Sequence, residues 1–316
     1  MKRILVTAGG TATAWHICEE VSKYFKDKIE IHVCDINDPD LVPASVLAYK
    51  THKVPYSNSE DYLPAIKKIV EEEKIDIIIP LLPMEAFLLG PDSDFIKELG
   101  IVTTAPKEET TAALVDKKGM FETLSKLDVK TPMNYDLNSI DDNTKYMIKP
   151  RLGFGSLGIK ILEGKDIDSD LNLDEFVIQE YCPHDDKDEV TVEIYNYDGR
   201  LEIFSRRRVM TKSGVCVKMV PIENENFYSS VKKVVDNVDC PIAFNMQFLY
   251  DKGEWKLFDC NLRLGAGTGL STAIGFKLTK ALLATLSDIP VDESYFDVDK
   301  EAKSVVRVYK EVVIKW

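Results

Sequence analysis

Residues 146–160 read YMIKPRLGFGSLGIK, a short apolar strand that ends in Lys149-Pro150, then a glycine-rich loop, then a second strand. The small residues of the loop are Gly153, Gly155, Ser156 and Gly158. Because glycine has no Cβ, several backbone N–H groups of such a loop can approach phosphate oxygens, and Lys149 adds a positive charge beside them. A strand follows, with no Gly-Lys-Ser/Thr, so this is not a Walker loop. The pattern predicts a nucleotide held under a glycine-rich flap, with an ordinary glycine-rich hairpin as the alternative.

Length and composition limit the classes of protein that remain. A chain of 316 residues with 45% hydrophobic content is globular and is expected to form two or three domains. Its net charge of −13 argues against non-specific binding to nucleic acid or anionic membranes, both of which need a basic surface. Six scattered cysteines without a CxxC favour buried thiols, and four dispersed histidines do not suggest a zinc site. The apolar runs are too short for a signal peptide or a membrane span, so we expect a cytoplasmic protein.

The first part of the chain alternates between strand and helix. Strands are predicted at 3–8, 29–34 and 75–80, and helices at 14–25 and 60–73. This alternation predicts a doubly wound, parallel α/β sheet.

Two turns of this sheet carry residues of interest. Gly9-Gly10 after the first strand and an acidic residue after the second are Rossmann-like, but the GxGxxG spacing is absent. A structural or substrate-holding lobe is therefore favoured over a dinucleotide site. Glu85 follows the third strand, where parallel sheets place ligands, and is predicted to receive an amine substrate.

The remainder is richer in β-structure. Helices are predicted over 110–127, 226–238 and 268–286. Single strands are predicted at 146–149, 159–162, 176–181 and 304–315. Two hairpins are predicted, 189–195 with 201–210 around Asp198-Gly199, and 242–250 with 255–260 around Lys252-Gly253.

Polar residues alternate with apolar ones along the second hairpin. Asn245 and Gln247 share a face with Asp259, Asn261 and Arg263 on and just beyond the partner strand. Five polar groups on one face are costly if that face is only core. Oxygen atoms of Gln, Asp and Asn suit Mg²⁺, and the arginine can meet an anionic group. The pattern predicts a metal site, with a solvated sheet face as the alternative.

A basic stretch lies on the first hairpin. Arg206 and Arg208 alternate onto one face of the strand, and Lys212 follows them. They are predicted to receive the carboxylate acceptor or phosphates, with an exposed charged strand as the alternative.

These motifs in chain order resemble the ATP-grasp superfamily over nearly the whole chain: Lys149 before the flap loop, VIQEY at 177–181, DEVTV at 188–192, and Gln247 followed by Asp259-x-Asn261-x-Arg263. Within the superfamily, the chain is most similar to the synthetase halves of the carbamoyl-phosphate synthetase large subunit and to stand-alone amino-acid ligases. The resemblance implies a Rossmann-like pre-ATP-grasp domain at 1–104 and then a two-lobed α+β ATP-grasp fold. Its small lobe with the flap is expected at 105–182, and its C-terminal lobe with the metal site at 183–316.

The resemblance also implies roles for individual residues around ATP. Lys117 and Lys149 would bind the phosphates, and the flap would cover the phosphates. Backbone groups of the hinge, residues 180–182, would contact the adenine edge, and an acidic residue would bind the ribose hydroxyls. These residues are Lys117, Lys149, Gly153, Gly155, Ser156, Gly158, Glu180, Tyr181, Cys182 and Glu189. Asp188 competes with Glu189 for the ribose.

The implied metal ligands are Asp259 and Asn261, assisted by Gln247, and Arg263 would stabilise the transferred phosphoryl group. The family usually has Glu at position 259 and Pro at 262, whereas this chain has Asp259 and Leu262. The shorter aspartate is expected to bridge two Mg²⁺ ions less well.

The resemblance thus implies an ADP-forming enzyme that uses ATP and Mg²⁺, with Mn²⁺ as an alternative ion. It would phosphorylate a small-molecule carboxylate and join the acyl phosphate to an amine, with no nucleic-acid or membrane partner and with homodimer formation open. The alternatives are a carbamoyl-phosphate-synthetase-like enzyme that phosphorylates bicarbonate or carbamate, and a non-catalytic nucleotide-binding protein.

Overall fold

The computed structural model describes residues 1–153, 158–183, 188–212, 214–308 and 310–315. Gly155 and Ser156 of the predicted flap lie outside these described residues. Three sheets organise the described chain, one parallel and two antiparallel.

The N-terminal sheet is parallel, with strand order β3-β2-β1-β4-β5. Its strands are β1 (Lys2–Val6), β2 (Ile29–Asp35), β3 (Lys50–Lys53), β4 (Ile77–Ile79) and β5 (Val102–Thr103). Its helices are α1 (Ala12–Glu20), α2 (Tyr62–Glu73), α3 (Pro83–Leu88) and α4 (Asp94–Leu99). Ile4 and Leu5 point to opposite faces of β1 and both are fully buried, as expected for a sheet covered on both sides. The predicted doubly wound architecture is confirmed.

The glycine turn of this sheet is tied to the end of β2. The Asp35 carboxylate accepts hydrogen bonds from the backbone N–H of Gly10 at 2.7 Å and from the backbone N–H of Asn37 at 2.9 Å. Both carboxylate oxygens are thus used within the turn. This arrangement favours the structural interpretation of the lobe over a dinucleotide site.

The middle sheet is antiparallel, with strand order β6-β9-β7-β8. Its strands are β6 (Asn134–Tyr135), β7 (Lys145–Pro150), β8 (Lys160–Glu163) and β9 (Phe176–Glu180). Two helices precede it, α5 (Glu108–Leu114) and α6 (Lys117–Lys126). The predicted single helix at 110–127 was wrong, because Asp116 is extended and caps α6 by accepting from the Lys118 N–H at 3.0 Å.

The C-terminal sheet has the order β14-β13-β10-β11-β12-β15. Its strands are β10 (Glu189–Tyr197), β11 (Arg200–Lys212), β12 (Val215–Ile222), β13 (Ala243–Asp251), β14 (Glu254–Asn261) and β15 (Val305–Val306). Its helices are α7 (Glu225–Val235), α8 (Thr268–Thr272) and α9 (Leu278–Leu286). Both predicted hairpins are confirmed, and each turns through two residues with positive φ, Asp198-Gly199 and Lys252-Gly253.

Two predicted elements of this region differ from the structure. The helix expected at 268–286 is divided into α8 and α9, because Gly275 between them has a φ of +109°, which a helix cannot accommodate. Among the described residues, the strand expected at 304–315 is limited to β15, whose Val305 and Val306 pair with Met219 and Lys218 of β12.

The core joins the three regions. One apolar cluster runs from β1 and α1 of the N-terminal sheet to α9 and the C-terminal sheet. A second cluster joins α6 and α7 to β10, β13 and β14. The second cluster covers one face of the C-terminal sheet, and residues of the opposite face, among them Thr191 and Gln247, line a cleft.

Candidate nucleotide and metal site

A cleft of about 720 Å³ separates the middle sheet from the C-terminal sheet. Twelve of the predicted site residues line it: Lys117, Lys149, Gly153, Glu180, Cys182, Glu189, Arg206, Arg208, Gln247, Asp259, Asn261 and Arg263. Four other predicted residues within the described part of the chain do not line it: Glu85, Gly158, Tyr181 and Lys212. The fold therefore brings together residues that are up to 146 positions apart, from Lys117 to Arg263.

The register of the second hairpin aligns its polar side chains. Gln247 pairs with Asp259, and Asn245 pairs with Asn261, across the two antiparallel strands. The Asn261 side-chain amide donates to Asp259 Oδ2 at 3.0 Å, which orients the carboxylate. Asn245 is only 5% exposed and its amide donates to the Arg263 carbonyl at 3.3 Å. The row of oxygen donors is thus held within a partly enclosed cleft, unlike a freely solvated sheet face.

Lys117 forms an ion pair with Asp259 at the end of this row. The Lys117 side chain is only 9% exposed, and the Asp259 side chain is 26% exposed. Burial opposes both charges, but their mutual attraction outweighs it: the pKa of Lys117 lies above its usual value and the pKa of Asp259 lies below it. The pair is therefore charged at neutral pH.

The start of α6 is anchored so that Lys117 points into the cleft. The Arg151 guanidinium binds Asp116 with two N–H groups, one of them Nε at 3.0 Å. In the same region, the backbone N–H of Lys117 donates to the carbonyl of Arg151 at 3.0 Å. Since Arg151 directly follows β7, these bonds connect the helix that carries Lys117 to the strand that carries Lys149.

Lys149 differs from Lys117 because its side chain has no hydrogen-bond or ion-pair partner among the described residues. It is 6% exposed. Burial and the nearby Lys117 charge lower the pKa of Lys149 to about 7. An amine in this state gains a proton when an anion is brought beside it.

We therefore expect ATP binding to weaken above pH 7. Between pH 7.5 and 8.5, where nucleotide phosphates are already ionised, the neutral share of Lys149 grows and the affinity should fall about five- to tenfold. Calorimetry in buffers of different ionisation enthalpy should show uptake of close to one proton. The Lys149→Arg variant stays protonated and should lose this dependence. An affinity of the unmodified protein that does not change over this pH range would contradict the assignment.

The hinge segment after β9 is organised by Lys256. Its ammonium group donates to Glu180 Oε2 and Asp251 Oδ2, both at 2.8 Å, and contacts Cys182 Sγ at 3.7 Å. Burial and the neighbouring carboxylates raise the pKa of Cys182 to about 12, so its thiol stays protonated. With Lys256 among them, Glu180, Cys182 and Asp251 form an ion-paired cluster rather than a metal site.

Replacing Lys256 by methionine should destabilise the protein by about 3–5 kcal/mol, because two carboxylates lose their buried counter-ion. Burial then raises the pKa of Glu180 and Asp251, which Lys256 now holds below their usual values. The destabilisation relative to the unmodified protein should accordingly shrink on acidification, because protonation of the two carboxyls relieves their unpaired buried charge in the variant, whereas in the unmodified protein it removes the ion pairs to Lys256. Urea unfolding measures both effects.

Lys252→Met provides the matched control. Lys252 contacts the same carboxylate, Glu180, at 3.0 Å, but its side chain is 71% exposed, so its loss should change stability by less than about 1 kcal/mol. Equal destabilisation by the two variants would show that burial does not decide the strength of this cluster.

Comparisons with known proteins relate two parts of the chain to known families. Residues 4–104 match the family profile described as the PylC-like N-terminal domain, and residues 172–311 match the one described as ATP-grasp in the biosynthetic pathway with Ter operon. The chain belongs to the ATP-grasp superfamily. No curated protein sequence matches it.

Three solved structures share the ATP-grasp architecture. Biotin carboxylase from Campylobacter jejuni, in a β,γ-ATP complex, has a TM-score of 0.72 at 15% identity, over 93% of this chain and 72% of that one. A second structure is the biotin carboxylase domain dimer of Hydrogenobacter thermophilus 2-oxoglutarate carboxylase, in complex with MgADP and bicarbonate. It has a TM-score of 0.69 at 15% identity, over 96% of this chain and 70% of that one. L-amino acid ligase from Bacillus licheniformis has a TM-score of 0.65 at 13% identity, over 96% of this chain and 78% of that one. Identities this low establish the shared fold.

Glu189 is the predicted ribose carboxylate, with Asp188 as the alternative. It lines the cleft, whereas its competitor Asp188 does not. Arg208 binds Glu189 Oε2 through Nη1 at 2.9 Å and donates through Nη2 to the Gly214 carbonyl at 3.1 Å. The geometry favours Glu189 over Asp188, and it makes Arg208 the partner of this carboxylate.

Glu85 has a different environment from the one that its predicted role requires. It is 4% exposed, and its carboxylate accepts hydrogen bonds from Tyr62 Oη at 2.9 Å, from the Leu82 N–H at 3.0 Å and from the Thr7 hydroxyl. These bonds hold the start of α3 against β1. We therefore interpret Glu85 as a structural residue and do not propose that it binds an amine.

Three residues of the site were not anticipated: Arg151, Glu193 and Lys256. Glu193 could have been found from the turn at Asp198-Gly199. This turn sets the register of β10 against β11, and the register places Glu193 diagonally across from Arg206. Arg151 and Lys256 bind partners 35 and 76 positions away, respectively, and local patterns carry no signal for such pairs.

Gly155 and Ser156 of the flap, and residues 184–187 between hinge and β10, lie outside the described residues.

In the described part of the chain, no helix is long and apolar enough to cross a membrane.

Proposed function

We propose that this protein is an ATP- and Mg²⁺-dependent, ADP-forming ligase that phosphorylates a carboxylate and joins the acyl phosphate to an amine. One observation carries the proposal: Lys117, Lys149, Arg263 and the oxygen donors of the second hairpin line the same cleft. The domain boundaries at 104 and 182 and the individual site roles form part of this proposal.

The donor set fits a magnesium ion. Gln247, Asp259 and Asn261 supply one carboxylate and two amides on adjacent strands, and Mg²⁺ usually completes such a set with water and phosphate oxygens. When bound, the ion would neutralise phosphate charge. In this structure Asp259 is paired with Lys117. If Asp259 bound a metal ion, Lys117 would lose this partner and could bind a phosphate instead.

The cationic residues can position and neutralise a triphosphate. Lys149 has no counter-ion among the described residues, so its charge is available to a phosphate. Phosphoryl transfer requires mainly positioning and charge stabilisation, and these residues supply both. No general base is required for attack by an ionised carboxylate.

Arg263 is suited to the reacting end of the nucleotide. It follows the metal-binding strand, and its Nη1 donates to the Leu264 carbonyl at 3.2 Å, which leaves most of its donors for anions. Burial lowers the pKa of Arg263, although Asp259 and Glu85 oppose this shift. We propose that Arg263 stabilises the transferred phosphoryl group and the acyl phosphate.

A second candidate is phosphorylation of bicarbonate. The similar biotin carboxylase domain binds bicarbonate together with MgADP, and the first two structures compared above are both biotin carboxylases. The similar amino-acid ligase supports the first candidate instead. Homodimer formation, as in the carboxylase domain, remains a prediction to be checked by light scattering.

Phosphate release from Mg-ATP tests the two candidates directly. The protein is assayed with pooled amino acids and pooled carboxylic acids, each with and without bicarbonate. Release that depends on one acid pool and an amine supports the ligase, and release that depends on bicarbonate alone supports the second candidate. ATP binding without release in any mixture would leave only a nucleotide-binding protein.

A further inference from the structure

A short turn of small residues, Gly265–Gly267, follows Arg263 and lines one end of the cleft together with Arg206. Arg206 is 3% exposed and packs directly on the backbone of this turn. A Cβ atom at position 267 would overlap Arg206 Nη2 and Cζ, so the guanidinium occupies the space that a side chain would otherwise take. A side chain at 267 would therefore have to displace the end of the Arg206 side chain.

The hydrogen bonds of Arg206 leave most of its donors available. Its Nε donates to Glu193 Oε1 at 3.3 Å, and Glu193 is itself fully buried. Arg206 Nη1 is buried and has no hydrogen-bond partner among the described residues. A purely structural ion pair would be expected to use the guanidinium fork on both carboxylate oxygens, but Arg206 donates to Glu193 through Nε to one oxygen, Oε1.

A second arginine adds positive charge behind the turn. Arg307 Nη2 donates to the Ala266 carbonyl at 2.5 Å. Burial lowers the pKa of Arg307, and the nearby Arg206 lowers it further against the influence of Cys216. Two arginines thus meet at this turn beside one carboxylate, Glu193, which leaves an excess of positive charge.

The strand register shows where this charge lies relative to the metal end of the cleft. Asp259 pairs with Gln247, Gln247 with Thr191, and Thr191 with Arg206, so the four residues form one row across four strands. All four line the cleft. Three inter-strand steps separate Arg206 from Asp259 along this row, about 14 Å between backbones. Arg206 is therefore separated from the phosphate-binding lysines and lies at the opposite end of the row.

We propose that the Gly265–Gly267 turn and Arg206 bind a second anionic group of the acceptor acid, so that the preferred substrates are dicarboxylates or phosphorylated carboxylic acids. This inference rests on the proposed ligase function. The reacting carboxylate would lie near Arg263 and the second anion at Arg206, with Arg307 contributing its charge from behind the turn.

Matched pairs of acids test the proposal. Succinate is compared with its monoamide, glutarate with its monoamide, and 3-phosphoglycerate with glycerate. For each acid, Mg-ATP-dependent phosphate release is measured, and binding is measured by calorimetry in the presence of MgADP. At least one dianion should bind about tenfold or more tightly than its partner, the scale of a lost charge-assisted hydrogen bond.

Two variants connect this preference to the turn. The double variant Arg206→Gln/Glu193→Gln removes both charges while keeping groups that can hydrogen-bond, and should weaken the dianion about tenfold or more with ATP affinity within twofold. Gly267→Ala should have a similar effect, since its Cβ displaces the guanidinium. Gly269→Ala is the control, because its Cβ would lie 3.6 Å from His16, an ordinary contact in α8.

The outcomes separate this proposal from the ligase function. A dianion that binds through Arg206 without phosphate release would reject the ligase and retain the anion site. Turnover of acids with equal use of both members of each pair would retain the ligase and overturn the anion site. Failure of every dianion to bind, or a preference that survives the double variant, would also overturn it.

Discussion

Replacement of Asp259 by asparagine is expected to lower ATP-dependent phosphate release by at least about 10³-fold. The oxygen donors of the second hairpin comprise one carboxylate and two neutral amides, so this substitution removes the only full negative charge among them. Asparagine keeps the size of the side chain and one oxygen. The loss would therefore reflect charge rather than shape.

The same substitution takes the counter-ion from Lys117. Burial opposes the charge of this lysine, and Asp259 is what keeps its pKa above the usual value. In Asp259→Asn the pKa of Lys117 should fall, and the protein should lose stability as well as activity. Activity is therefore measured well below the melting temperature of the variant, which is determined in parallel.

Asp198→Asn is the control for this experiment. Asp198 lies in an exposed turn with a φ of 50°, a conformation that asparagine also adopts readily. Its replacement should leave phosphate release unchanged. A rate for Asp259→Asn within tenfold of the unmodified protein would reject the metal assignment.

The Arg263→Ala variant is expected to lower kcat by about 10²–10³-fold, with the affinity for ATP changed less than about threefold. Arg263 donates to a single carbonyl at the reacting end of the cleft, and an interaction made with developing charge affects the transition state more than the bound nucleotide. Steady-state kinetics and direct measurement of ATP binding separate the two effects.

Arg263→Lys tests whether charge alone is sufficient. Lysine keeps the positive charge but lacks the planar fork of donors, so it should restore only part of the lost rate. An equal loss of ATP affinity and kcat in Arg263→Ala would place the arginine in nucleotide binding instead. Full activity of the alanine variant would exclude any role at the reacting end.

Much of the fold could be predicted because its signals are local. The period of two in residues 242–250 and 255–260, together with the Lys252-Gly253 turn, was enough to place Gln247, Asp259 and Asn261 on one face. Hairpin register depends on the turn and on neighbouring side chains, and both are visible in the chain. The same local patterns failed at Asp116 and Gly275, where one residue interrupts an otherwise helical run.

The charge partners of the site depend on contacts that no local pattern contains. The resemblance implies the same phosphate-binding role for Lys117 and Lys149. In the structure, however, Lys117 is paired with Asp259, whereas the Lys149 side chain has no partner among the described residues, so their pKa values shift in opposite directions. Glu85 likewise follows a parallel strand as a ligand residue would, but its carboxylate accepts hydrogen bonds from the hydroxyls of Thr7, directly after β1, and Tyr62, in α2. Strand order, turns and polar faces follow from neighbours along the chain, whereas ionisation depends on burial and on charges brought close by folding. The motifs and their order therefore carry the resemblance to the superfamily, and packing between distant segments defines which charges remain available to a substrate.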